Sequence, residues 1–179
     1  MRLAVLADTH GRVPETVAAL SVLNAHAPDV FLHCGDVGGG RYSSHGVLTE
    51  LARVAAGRPA YLVPGNNDRV PQTLAALAAE RGLHYGDPIV VELAGVRVCV
   101  THGTRNEQND FAEHGVDGLP CDLVCSGHTH LQAWEEREFD GRPVRLLNPG
   151  ACWRAAPRSV ALVDLPAMKA TFLEVPRPE

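Results

Sequence analysis

The sequence predicts a mixed α/β domain in which two β-sheets pack face to face with helices outside. Three observations carry this expectation. In the first half short apolar runs alternate with helical stretches, in the second half they come in pairs joined by tight-turn dipeptides, and five of the runs stop on acids, amides or imidazoles. At 179 residues and 19.2 kDa the chain suits one domain over 1–179, a size that buries roughly 70% of the unfolded surface.

The run at 2–7 (RLAVLA) reads as a buried strand, since four to eight residues rich in Val, Leu and Ala are too few for a helix. A helix follows at 14–26, then a strand at 30–34, a helix near 44–56, a strand at 60–63 and a helix at 71–81. Pro14 and Pro71 fall in the first helical turn, where a missing N–H costs nothing, and Gly82 falls where helices commonly stop. This βαβαβ order implies parallel strands with right-handed crossovers. Strands at 88–93 and 96–101 meet at Ala94-Gly95, the run at 123–126 is a further buried strand, and strands near 131–139 and 143–147 meet at Asp140-Gly141, a strong hairpin signal. The runs at 159–164 and 169–175 close the chain as another pair, so the second half reads as antiparallel.

A hydrophobic content of 45% with 21% charged residues is ordinary for a globular protein. The net charge of −5 and pI of about 6.0 argue against bulk nucleic-acid binding. Fifteen of the sixteen basic residues are Arg, which reads as coding bias, although the guanidinium fork also suits phosphate. Only five apolar residues lie between Arg2 and Asp8, too few for a signal peptide, and no run approaches the ~20 residues of a membrane span, so a cytoplasmic protein is expected. Five cysteines is an odd number; Cys34, Cys99 and Cys125 sit in strands as small hydrophobes. Cys121 and Cys125 lack the second pair a zinc site needs.

The strand endings are the informative feature. They are Asp8-Thr9-His10, Gly35-Asp36, Gly65-Asn66-Asn67-Asp68, Thr101-His102-Gly103 and Gly127-His128-Thr129-His130. Strands side by side in one sheet would share an edge at their C-terminal ends, where open α/β sheets bind ligands. Asp8 and His10 are two apart, as are His128 and His130, so on an extended strand end each pair projects to one face. Asp36 and Asn66 each follow a glycine that allows a tight turn. Asp8, His10, Asp36, Asn66, His102, His128 and His130 make seven ligands, too many for one tetrahedral ion and suited to two ions bridged by a carboxylate. A donor set without thiolate points to two divalent ions of the Mn, Fe, Zn or Ni kind, with Mn2+ favoured, rather than Mg or Ca.

The order D-x-H, G-D, G-N-x-D, H-G, G-H-T-H resembles that of the calcineurin-like metallophosphoesterase superfamily, in particular its small single-domain phosphodiesterases, from Asp8 to Asn148-Pro149-Gly150-Ala151. The resemblance implies a β-sandwich flanked by helices. It also implies that Asp8, His10 and His130 hold one metal, that Asn66, His102 and His128 hold the other, and that Asp36 bridges. Asp36, Asn66, Asn67, Asp68 and His102 form the expected catalytic group, with Asp68 holding the Gly65 turn or an adjacent imidazole, or else capping the turn. Many phosphomonoesterases of the superfamily carry His after the ligand Asn; here Asn67 stands there and supplies no proton at neutral pH. Metal-activated hydrolysis of a small phosphodiester or nucleotide is therefore expected. The alternatives are a phosphomonoesterase or nucleotidase, and a non-catalytic protein-binding scaffold such as the retromer subunit built on this fold; the seven filled ligand positions disfavour the scaffold. Arg41 and His45, in the glycine-rich loop after Asp36, are expected to contact the substrate phosphoryl group or its leaving oxygen. His26, His84 and His114 read as surface residues, and His33 as a packed residue behind the ligands.

Overall fold

The structure is a computed structural model that describes residues 1–39 and 43–178. The first sheet begins with β1 (Arg2–Leu6), β2 (Val30–His33), β3 (Ala60–Leu62) and the short β4 (His84–Tyr85), all parallel. Between them run α1 (Val13–Asn24), α2 (Ser44–Ala55) and α3 (Pro71–Ala79). The Pro14 and Pro71 starts are as the sequence predicts, and α2 is capped by Ser43, whose Oγ accepts the His45 N–H at 3.1 Å.

The second sheet holds β5 (Ile89–Leu93), β6 (Val96–Val100), β7 (Leu123–Cys125), β8 (Gln132–Phe139) and β9 (Arg142–Pro149), with α4 (Glu107–His114) inserted before β7. The last strands, β10 (Ser159–Asp164) and β11 (Lys169–Glu174), return to the first sheet, where β10 pairs antiparallel with β1. The sheet orders are β11-β10-β1-β2-β3-β4 and β5-β6-β7-β9-β8.

Two expectations change here. The second half is not wholly antiparallel, because β6, β7 and β9 are mutually parallel and only the β5/β6 and β8/β9 hairpins run antiparallel. The helix α4 supplies the crossover that β6 to β7 requires. Its sequence, EQNDFAEH, buries only Ala112 among the described residues, so no apolar stripe advertises it.

The alternation along β1 shows why the chain layers as it does. Leu3, Val5 and Ala7 enter the core between the sheets with Val30, Leu32, Val98, Val100, Leu123 and Leu147. Ala4 and Leu6 face the other way, against Leu20, Leu23, Val47, Leu48 and Leu51 of α1 and α2. A smaller cluster seats α4 on the outer face of the second sheet through Cys99, Ala112, Val124 and Leu146. Strands buried on both faces read as continuous apolar runs, which is the pattern of both parallel regions. No helix among the described residues is long and apolar enough to cross a membrane.

Candidate metal centre

The five polar strand endings converge from two sheets rather than one. β1, β2 and β3 deliver Asp8, His10, Asp36 and Asn66, while β6 and β7 of the facing sheet deliver His102, His128 and His130. The seam between the sheets is stitched at this end, where His128 N–H donates to Asp8 Oδ2 at 3.1 Å, while Gly127 N–H to His102 O at 3.1 Å extends the pairing of β6 with β7. Gly127 allows this approach, since a Cβ there would lie 2.7 Å from Cys34 O and 2.9 Å from Asp8 Oδ2.

The paired ligands do not sit on extended strand ends. Asp8, His10, Asp36, His128 and His130 all have left-handed backbones, with φ between 49° and 70°. Such conformations cost non-glycine residues of order 1 kcal/mol or more each and survive where the surroundings impose them. Here the imposing bonds are visible: His10 N–H donates to Asp36 O at 2.9 Å and Gly11 N–H to Val37 O at 2.8 Å, so the loop after β1 stays paired with the loop after β2. The side chains converge because the backbone turns, not because a strand alternates.

Two overlapping donor sets result. Carboxylate and imidazole atoms of Asp8, His10 and His130 lie within 4.8 Å of one another, as do those of Asp8, Asp36 and His102. His10 Nε2 faces His130 Nε2 at 3.4 Å and Asp36 Oδ2 at 3.7 Å, and His130 Nε2 lies 3.4 Å from Asp8 Oδ1. On the other side Asn66 Oδ1 lies 3.1 Å from His102 Nε2 and 3.0 Å from His128 Nδ1, and His102 Nε2 lies 3.5 Å from Asp36 Oδ2. Asp36 thus touches both sets. Asp8, Asp36 and His102 form a buried floor, His10 and His130 are half-buried, and Asn66 and His128 stand at the mouth.

The donor chemistry fits cations. The His102 Nδ1–H donates to Cys34 O at 2.9 Å, which in the neutral ring leaves Nε2 with its lone pair aimed at Asn66 and Asp36. Burial disfavours charge on Asp36, yet the His102 ring and the two N–H donors of Asn67 hold its carboxyl well below the ordinary value. Burial likewise opposes protonation of His102, but Asp36 leaves its pKa raised. Asp8 raises His130, whereas burial lowers His10. Ionised carboxylates facing imidazole nitrogens are what divalent ions of the Mn or Zn kind take as ligands.

Around this floor the remaining expected residues take definite positions. Asp68 bridges two loops, its Oδ2 accepting from Val37 N at 3.0 Å and Gly65 N at 2.9 Å, and its Oδ1 from Gly38 N at 2.7 Å. It therefore locks the Asp36 loop to the Asn66 turn, although burial pushes its carboxyl up. Asn67 grips Asp36 directly, with N–H to Oδ1 at 2.8 Å and Nδ2–H to Oδ2 at 2.7 Å. In the sequence Asn67 marks only an absent acid; the grip on Asp36 is a product of the fold. His33 is fully buried behind the ligands, its Nε2 3.0 Å from Thr9 Oγ1.

His45 is not brought to the cluster. It lies exposed in the first turn of α2, and its Nε2 is 2.8 Å from Arg81 Nη2. The cap by Ser43 starts α2 at Ser44, at the boundary the sequence predicts, and puts His45 on the helix's first turn. Arg41 lies outside the described residues. Residues the sequence did not single out complete the site. Asn148, at the end of β9, donates through Nδ2 to Gly127 O at 2.6 Å and Thr129 Oγ1 at 3.1 Å, holding the turn that carries His128 and His130. Arg12, Trp153 and Arg154 line the cavity of about 540 Å3 above the cluster.

Fold and site together define a metallophosphoesterase: two mixed sheets, helices outside, and carboxylate, amide and imidazole ligands gathered where strands from both sheets end. Residues 1–168 match the family model of the calcineurin-like phosphoesterase superfamily domain, and the chain belongs to that superfamily of metal-dependent phosphoric ester hydrolases. Among curated relatives it is 28% identical over 156 residues to the phosphodiesterase MJ0936 of Methanocaldococcus jannaschii, covering 85% of this chain and 84% of the relative. It is 22% identical over 157 residues to the probable metallophosphoesterase MG207 of Mycoplasma genitalium, covering 84% of this chain and 77% of the relative. Solved structures share the fold, including one described as a novel archaeal phosphodiesterase, with a TM-score of 0.79, 23% identity and coverage of 97% and 99% of the two chains. The phosphoesterase Yfce from E. coli superposes with a TM-score of 0.65 at 24% identity, covering 98% and 100%.

Proposed function

We propose that the protein is a dinuclear-metal phosphodiesterase that cleaves a small phosphodiester or nucleotide in the cytoplasm. The observation that carries the reading is the position of Asp36, whose Oδ2 lies 3.7 Å from His10 Nε2 on one side and 3.5 Å from His102 Nε2 on the other, while Asp8 is common to the two donor groups. The likeness to the phosphodiesterase of Methanocaldococcus jannaschii supports the diester class. Five unpaired, buried cysteines suit a reducing compartment.

Asp8, His10 and His130 would hold one ion, Asn66, His102 and His128 the other, with Asp36 between them. Two ions held there would supply positive charge beside the phosphoryl oxygens and lower the pKa of an attacking water. The chain's own residues do the positioning. Cys34 O fixes the His102 tautomer, Asp68 locks the two ligand loops together, Asn148 holds the His128 turn, and Asn67 orients Asp36. No imidazole occupies position 67, so a leaving group must depart without protonation from that place, and general-acid help worth about 10²–10⁴-fold is forgone. Activated diesters should accordingly be cleaved faster than alkyl monoesters.

Metal content and anomalous scattering after Mn2+ loading, with rates on paired aryl diesters and alkyl monoesters, test the reading. Two ions astride Asp36 and a diester preference are expected. A saturated protein with one ion, or with ions elsewhere, defeats the dinuclear mechanism, and equal turnover of alkyl monoesters defeats the substrate class.

A further inference from the structure

The cavity above Asp36 has a basic wall that the hydrolytic chemistry does not use. Arg12 follows His10 in the turn before α1, and Trp153 and Arg154 come from the loop between β9 and β10. The indole of Trp153 meets the His10 ring edge-on at 6.0 Å and carries both guanidiniums, Arg12 at 4.1 Å and Arg154 at 4.2 Å from the ring centre. Stacking of this kind steadies a guanidinium plane while leaving N–H groups at its edge for a planar oxyanion.

The loop is built to hold that wall. Ala151 and Cys152 are fully buried, Gly150 N–H donates to Asn148 Oδ1 at 3.0 Å, Ser159 Oγ donates to Pro149 O at 2.7 Å, and Ser159 N–H to Ala151 O at 3.1 Å. Arg154 itself has φ of 56°, a left-handed conformation that a non-glycine residue adopts at a cost. Among the described residues no carboxylate pairs with it. In a chain of net charge −5, the Arg154 guanidinium, stacked on an indole at the cavity wall and without a carboxylate among the described residues, calls for an anion. The scissile group does not account for that charge: Asp8, Asp36 and a hydroxide nucleophile would offset three of the four charges of two divalent ions, and the fourth would match the single charge of a diester.

We infer that Arg12, Trp153 and Arg154 form a subsite for a second oxyanion, a phosphate or carboxylate on the part of the substrate that is not attacked. This deepens, and rests on, the phosphodiesterase reading. The physiological substrate is then a phosphodiester that carries a further anionic group, and the wall selects it over neutral diesters.

Three p-nitrophenyl phosphodiesters, alike except that the second arm ends in a phosphonate, a carboxylate or a hydroxyl, test the inference with Mn2+-loaded full-length protein. The wild type should prefer at least one charged arm by about tenfold in kcat/KM, the scale of one charge-assisted hydrogen bond, chiefly through KM. The phosphonate and carboxylate arms tell the two sources apart. Arg154→Gln, at an exposed position, and Arg12→Gln should each erase most of that preference, losing far more on the charged arm than on the hydroxyl arm. Equal losses on all three arms would place the arginines on the scissile group and overturn the inference, as would a wild type indifferent to the arm. If no arm is hydrolysed, the phosphodiesterase reading fails separately. The subsite is then judged by propylphosphonate titrated against Trp153 fluorescence in a Trp134→Phe background: saturable binding weakened by Arg154→Gln upholds it, and its absence refutes it.

Discussion

Replacing Asn67 with Ala isolates the grip on the shared carboxylate. The backbone N–H of residue 67 would still reach Asp36 Oδ1, while the Nδ2–H bond to Oδ2, 2.7 Å in length, would vanish. Hydrogen bonds to charged groups contribute about 1.5–3 kcal/mol. Asp36 is only 2% exposed, so water replaces the lost donor poorly, and Asn67 is half-buried at the cavity edge, which favours the lower end. At 1.4 kcal/mol per factor of ten this is roughly a tenfold weakening, within the 10–100-fold that loss of a partner behind a metal ligand typically costs. Calorimetric Mn2+ titration should therefore show affinity falling about tenfold, with a smaller fall in diester turnover once Mn2+ is saturating. Mn2+ affinity indistinguishable from wild type would refute the reasoning, because Asp36 would then be oriented without Asn67. The same bond qualifies Asn67→His: a histidine supplies the absent acid, but monoesterase activity rises only if its ring N–H also takes over the hold on Asp36.

Gly65→Ala should abolish Mn2+ binding and hydrolysis and lower unfolding free energy by about 1–3 kcal/mol in urea, since the new Cβ would lie 2.2 Å from Asp36 Oδ1 and 2.3 Å from Asp36 N; a variant that binds Mn2+ normally contradicts this. A pH dependence follows from His33, whose pKa burial lowers to about 3. Thr9 Oγ1 donates to Val37 O at 2.9 Å, so His33 Nε2–H donates to Thr9 and the buried Nδ1 is left as an unpaired acceptor in a neutral ring. The unfolded chain protonates His33 below ~6.5 and the folded chain does not, so this residue's stability contribution is intact above ~6.5 and declines as pH falls towards 3. Urea unfolding of metal-free His33→Gln should lose less stability than wild type between these pH values, and parallel curves would show that His33 is not the sensor. His45→Ala should leave diester turnover unchanged, because the ring engages Arg81 rather than the cluster; a selective defect on poor leaving groups would restore it as the proton donor.

Much of the site was legible because metal ligands need particular atoms. Only carboxylates, amides and imidazoles serve borderline divalent ions, so D-x-H, G-N and G-H-T-H stand out at the ends of apolar runs whatever the surrounding fold. Trp153 and Arg154 carried no such mark, and Asn148, though an amide at the end of an apolar run, gave no sign of its role. Asn148 matters through two acceptors on the turn that bears His128, and Trp153 through what packs against it. The amphipathicity of α4 is too weak to read from EQNDFAEH, and the two-residue β4 is shorter than any periodicity can reveal.

The sequence by itself determined the alternation of strands and helices, the chemistry of the candidate ligands and the order in which the chain presents them, since local apolar period and side-chain chemistry are properties of neighbouring residues. Tertiary structure alone decided that the ligands come from two facing sheets, that β6, β7 and β9 run parallel, and that five ligands reach the site through left-handed turns rather than strand ends. It also turned Asn67 from an absent acid into the clamp on Asp36 and carried His45 away to Arg81. These outcomes depend on pairs such as Asn67 with Asp36, His45 with Arg81 and His128 with Asp8, which are 31, 36 and 120 positions apart and whose geometry exists only after the sheets have packed.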